Sequence, residues 1–149
     1  MKIRGFEKIS SYKEMDFPLP SRQTARSAGY DIYLPETVTI PAHGQKMVPT
    51  GVKAYMQDNE YLGIHIRSSM AVKRHLRLVN NEGIVDADYY NNPDNEGEIF
   101  AQVMNITKMP VEIHKGDRIC QAIFHKYLLA DDDEPGGQRQ GGFGSTGDA

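Results

Sequence analysis

The sequence has no tryptophan, a single cysteine and only a small excess of acidic over basic residues. The last two each close a class of function. A lone Cys120 excludes an internal disulfide framework and suits a reducing cytoplasm. It sits in the apolar run Arg118–Phe124, so it reads as a buried structural thiol. A net charge of −3 provides no basic footprint for wrapping nucleic acid. No apolar run approaches the length of a membrane span, and the opening Met1–Phe6 lacks the apolar centre of a signal peptide. The expectation is a cytoplasmic protein with neither a nucleic-acid nor a membrane partner. The five histidines (His43, His65, His75, His114 and His125) show no metal-ligand spacing. With no Gly-x-Ser-x-Gly elbow and no Walker A loop, covalent nucleophilic catalysis has little support.

What is present reads as short strands broken by turns. The 149 residues make one domain's worth of chain, and a hydrophobic share of 39% suits subunits that share a core in an oligomer. Strands are predicted over Thr37–Ile40, Lys46–Val48, Tyr61–Ile66, Leu76–Val79, Ile99–Ile106, Val111–Ile113 and Arg118–Phe124. In Tyr61–Ile66, alternation puts Leu62, Ile64 and Ile66 on one face. The helical signal is Ser68–His75, two turns with Ser68 or Ser69 as N-cap. Many short strands with frequent turns predict an all-β barrel or jelly roll. Asp131 to Glu134 form an acidic run that leads into Pro-Gly-Gly, a solvated linker. It divides a β-rich core, 1–128, from a C-terminal arm, 129–149.

Five segments carry candidate chemistry, and each has a plainer reading. Ala28-Gly29-Tyr30-Asp31-Ile32 equally describes the start of an ordinary strand with a surface acid. Arg67-Ser68-Ser69 places a guanidinium, two hydroxyls and a helix start together, either a phosphate site or a simple cap. Asn80–Tyr89 brings Asp86 behind the apolar pair Ile84–Val85, where a carboxylate can orient and deprotonate water; the alternative is a hairpin with acidic turn residues. Asn80 offers both a donor and an acceptor to a base edge, Tyr89 a flat face, and Gly83 a sharp turn or bulge. Gln121, inside an apolar strand, needs a backbone or ligand partner if buried. Finally, residues 141–147 read Gly-Gly-Phe-Gly-Ser-Thr-Gly, with Arg139 just upstream. Such a segment can close over a phosphorylated, ring-bearing ligand, or be a Gly/Ser tail.

With these five segments in this order over essentially the whole chain, the sequence resembles the homotrimeric dUTP diphosphatases (dUTPases). The resemblance implies an all-β, jelly-roll-like dUTPase (β-clip) fold, a homotrimer with sites formed between subunits, and a flexible C-terminal arm. It implies hydrolysis of dUTP to dUMP and pyrophosphate, with Mg²⁺ chelated by the triphosphate. By motif position Asp86 would activate the attacking water. Arg67, Ser68, Ser69 and Gln121 would line the triphosphate, and Asp31 would act near the metal through water. Asn80 and hairpin backbone near Ile84 and Phe100 would read uracil, and Tyr89 would pack under the sugar. Phe143 would stack over the base while Arg139, Ser145 and Thr146 hold phosphates. Three departures from the family pattern stand out: Ile66 where proline is usual, a longer loop at Tyr90–Glu96, and Arg139 one residue closer to Phe143. Two competing functions are a dCTP deaminase-like enzyme of the same fold and a nucleotide-gated regulatory protein that binds a partner through the 90–96 loop.

Overall fold

One strand, β6 (Glu60–Ile66), sorts the chain's chemistry into two faces. The computed structural model describes residues 1–136. Eleven strands are described there: β1 (Gly5–Lys8), β2 (Tyr30–Tyr33), β3 (Val38–Ile40), β4 (Gln45–Pro49), β5 (Val52–Tyr55), β6, β7 (Leu76–Leu78), β8 (Gly83–Asp86), β9 (Phe100–Asn105), β10 (Val111–Ile113) and β11 (Arg118–Lys126). One short helix, α1, spans Ser68–Arg74. All pairings are antiparallel: β2-β11-β6-β8, β4-β9-β7, β1-β5 and β10-β3. Among the described residues no helix is long and apolar enough to cross a membrane.

Directly paired residues share a sheet face. Leu62 opposes Val85 and Phe124, Ile64 opposes Ala122, and Cys120 opposes Ile32 and Ile66. This face packs on Val48, Leu76, Leu78, Ala101 and Val103 of the β4-β9-β7 sheet, forming one buried cluster. Cys120 is fully enclosed there, and burial first, then the charge of Asp31, pushes its thiol up to about 12. It is a protonated packing group rather than a nucleophile. The opposite face carries Asp31, Gln121, His65, Tyr61, His125, Ile84 and Asp86.

Local chemistry corrects the sequence reading at two turns. Arg67, still extended at ψ 143°, is the N-cap of α1 and makes no side-chain cap bond, so Ser68 is already helical. The turn before β8 falls on Asn81, left-handed at φ 61°, a conformation asparagine tolerates. Gly83 instead stands in the ladder opposite Ile64, where a Cβ would come within 3.3 Å of the Ile64 Cβ.

The 90–96 loop is tied to the core. Lys53 Nζ donates to Asn91 Oδ1 (2.6 Å) and pairs with Glu96 Oε2 (2.8 Å), while Ser10 N donates to the same Glu96 carboxylate. The loop closes through Gly97 at φ 86°, where a Cβ would lie 2.6 Å from the Tyr89 carbonyl oxygen. At the start of β6, buried Glu60 accepts from Arg4 Nη2 at 2.6 Å and from the Gln57 amide at 2.9 Å.

Gly97→Ala meets both a positive φ and backbone crowding, so it is expected to cost about 2 kcal/mol in chemical denaturation; a neutral effect would contradict the packed-loop description. The Arg4 hydrogen bonds hold the Glu60 carboxyl below its usual range, with burial opposing them. A folded pKa below the unfolded one stabilises the fold above the ordinary carboxylate pKa. That contribution is lost as pH falls through the lowered value. Wild type should therefore lose more stability between about pH 5 and pH 3 than Arg4→Met does. Parallel denaturation midpoints across that range would contradict the pairing.

Candidate active site

The polar residues of the outward face fall into two groups at opposite ends of β6. At its C-terminal end, Asp31 on β2 opposes Gln121 on β11, which opposes His65 on β6. The Asp31 carboxylate lies 3.3 Å from Arg118 Nη1 and 3.8 Å from Arg67 Nε. Arg67 Nη1 also donates to the Arg118 carbonyl at 3.4 Å. Beside them opens a cavity lined by Arg67, Lys73, Arg74 and Arg118, with one acid, Asp117, and with Ser69, Met70 and Gly116. Four cations around one recess suit a polyanion. Ser69 is half-buried against this recess and Ser68 is exposed.

Gly29 explains why the first segment needs glycine. A Cβ there would sit 2.3 Å from Gln121 Oε1 and 3.1 Å from Gln121 Cβ. The bare backbone leaves room for the Gln121 side chain to lie against residue 29.

At the N-terminal end of β6, Asp86 closes β8 directly opposite Tyr61. It is half-buried and leads into a 3₁₀ turn, Ala87–Tyr89. Tyr61, Ile84, Tyr127 and Asp86 line an apolar cleft, and Asp58, Ala87 and Asp88 continue it past Tyr127. Tyr127 is fixed over the mouth by its hydroxyl, which donates to the Asp58 carbonyl at 2.7 Å. Ile84 is 61% exposed in the cleft wall. Asn80 is exposed at the preceding turn, and Phe100 begins β9 opposite Pro49. Tyr89 is buried; its hydroxyl donates to the Glu98 carbonyl and accepts from Asn95 Nδ2 at 2.9 Å. Arg139, Phe143, Ser145 and Thr146 lie outside the described residues.

Arg67 stands six positions after Tyr61, which is beside Asp86, a span of about 20 Å at strand rise. The two groups therefore lie well apart on one chain. The sequence reading named Asp86, Arg67 and Gln121 but missed Tyr61 and Tyr127, and it gave Arg118 no role. The period-two alternation that sends Leu62 and Ile64 inward sends Tyr61 outward, a signal available for the first of these.

The dUTPase family sequence model matches residues 15–147 of this chain. The chain belongs to the dUTPase family. It is 50% identical over 149 residues to the deoxyuridine 5'-triphosphate nucleotidohydrolase of Lactococcus lactis subsp. lactis (strain IL1403), covering 99% of each. The Saccharomyces cerevisiae (strain ATCC 204508 / S288c) enzyme of that name is 36% identical over 135 residues, covering 87% of this chain and 86% of its own. The crystal structure of dUTPase from Streptococcus mutans superposes with a TM-score of 0.81 at 48% identity, over 85% of this chain and 98% of that one. Family membership makes the chain an enzyme, with an all-β dUTPase fold.

Gly29→Ala is expected to push Gln121 out of place and lower the enzyme's kcat/KM at least about tenfold with an unchanged circular dichroism spectrum. Retention of full kcat/KM would show that Gln121 is not a positioned contact.

Proposed function

We propose that this enzyme hydrolyses dUTP to dUMP and pyrophosphate at sites assembled between the subunits of a homotrimer. The observation that carries the reading is the separation along β6. A carboxylate end and a cationic end lie about 20 Å apart in one chain, so a single site that uses both needs neighbouring copies. Exposed Ile84, Tyr127, Leu128 and Leu129 supply apolar surface for such contacts.

In this reading Arg67, Ser68, Ser69 and Gln121 of one subunit hold the triphosphate. Asp86 of a neighbour, standing at the mouth of the apolar cleft, takes a proton from water. The water oxygen bonds to the α-phosphorus as the bond to the pyrophosphate oxygen breaks. Asn80 and the backbone near Ile84 and Phe100 read the uracil edge. Tyr89, locked by Glu98 and Asn95, backs the sugar and leaves no room for a 2′-hydroxyl. The arm residues Arg139, Phe143, Ser145 and Thr146 close over phosphates and base.

The residues present fit a Mg²⁺ ion that arrives on the triphosphate. Asp31 is already flanked by two guanidiniums. The nearby Asp117 carboxylate accepts from the His114 amide. That donor set suits contact through water rather than a protein cage. When bound, Mg²⁺ offsets charge on the phosphate oxygens. The single buried thiol supports a cytoplasmic setting. The internal engagement of the 90–96 loop favours a buttress over a docking surface for a regulatory partner.

Pyrophosphate release from dUTP, dTTP, dCTP and UTP in Mg²⁺ tests the reading. Strong preference for dUTP is expected, with Asp86→Asn lowering kcat by about 10³-fold while melting stays normal. Ammonia release from dCTP would favour the deaminase, and comparable turnover of dTTP would contradict the shaped uracil site.

A further inference from the structure

The pairing of β6 with β11 brings together two histidines that lie sixty positions apart in sequence. His65, Glu82 and His125 present ligand atoms that all lie within 4.8 Å of one another. His65 Nε2 is 2.9 Å from Glu82 Oε2. His125 Nε2 is buried and has no hydrogen-bond partner. Its ring is held by stacking on Tyr61, with centroids 4.9 Å apart and planes 15° apart. The gap between the three groups exists because residue 63 is glycine. A Cβ there would lie 2.9 Å from Glu82 Oε2 and 3.4 Å from His125 Nε2.

We propose that His65, Glu82 and His125 form a binding site for a transition-metal ion of the Zn²⁺ class, separate from any metal carried by substrate. Two imidazoles and one carboxylate match a three-ligand zinc set with a fourth position left to water. Nitrogen donors select Zn²⁺, Co²⁺ or Ni²⁺ over Mg²⁺ and Ca²⁺, which take oxygen. Ligand atoms around four-coordinate zinc stand about 3.3 Å apart. His125 is the fixed member; His65 and Glu82, each more than a third exposed, swing the short remaining distance. An orphaned buried imidazole nitrogen costs stability unless something satisfies it, and a metal ion does so. Glu82 lies in the turn that leads into β8, so the ion would clamp that turn to β6 and β11.

The test uses the full chain stripped with chelator and dialysed. Co²⁺ alone should produce the visible bands of a four-coordinate ion at one per chain, and Zn²⁺ should displace it while excess Mg²⁺ does not. His65→Gln, Glu82→Gln and His125→Gln should each weaken Zn²⁺ binding by at least about tenfold. Gly63→Ala, which removes no ligand, should weaken it as well by filling the gap. Zn²⁺ should raise the melting temperature of wild type and not of His125→Gln. No Co²⁺ spectrum, equal Zn²⁺ affinity across the variants, or displacement by Mg²⁺ would overturn the site.

Discussion

The hydrogen-bonded register of β6 against β8 and β11 is the constraint on which the rest depends. Leu62 opposite Val85 and Phe124, and Ile64 opposite Ala122, bind the strand to the core. The same register leaves Tyr61, Gly63 and His65 outward beside Asp86, Ile84, Gln121 and His125. A slip of one residue would bury the polar set and expose the apolar one, so core packing and site geometry are specified together. The start of the strand is pinned independently by the Arg4–Glu60 pair, which is more than a surface ion pair because the Glu60 carboxylate is 4% exposed.

Charge is distributed along this strand with a consequence for chemistry. The arginines at its far end flank Asp31, at 3.8 Å for Arg67 Nε and 3.3 Å for Arg118 Nη1. In the proposed reaction the cationic recess takes the polyphosphate and the apolar cleft the base and sugar. Behind both, Cys120 with its raised thiol pKa acts as packing material.

The strands with clean alternation were legible in the sequence because their period-two pattern coincides with a half-buried sheet. Tyr61–Ile66 is the clearest case, matching β6 within one residue. Strands β1 and β5 were not legible. Gly5–Lys8 is half-buried throughout, and in Val52–Ala54 the charged Lys53 is buried like its apolar neighbours, so neither shows a burial period. The helix was legible and its cap was not, because the backbone stays extended past β6 through Arg67. The five family segments supplied the candidate site residues, but no spacing rule could show that Asp86 and Arg67 lie far apart. That separation comes from strand pairing. The His65–His125 approach is hidden for the same reason.

Whether catalysis needs two chains can be decided by subunit mixing. Asp86→Asn and Arg67→Met proteins, each inactive alone, are denatured together in equal amounts and refolded. Sites shared between copies predict recovery of about a quarter of wild-type dUTP hydrolysis, the chance that one site draws its intact Asp86 and its intact Arg67 from complementary partners. A mixture as inactive as its parents would place both residues in a site within one chain and contradict the account.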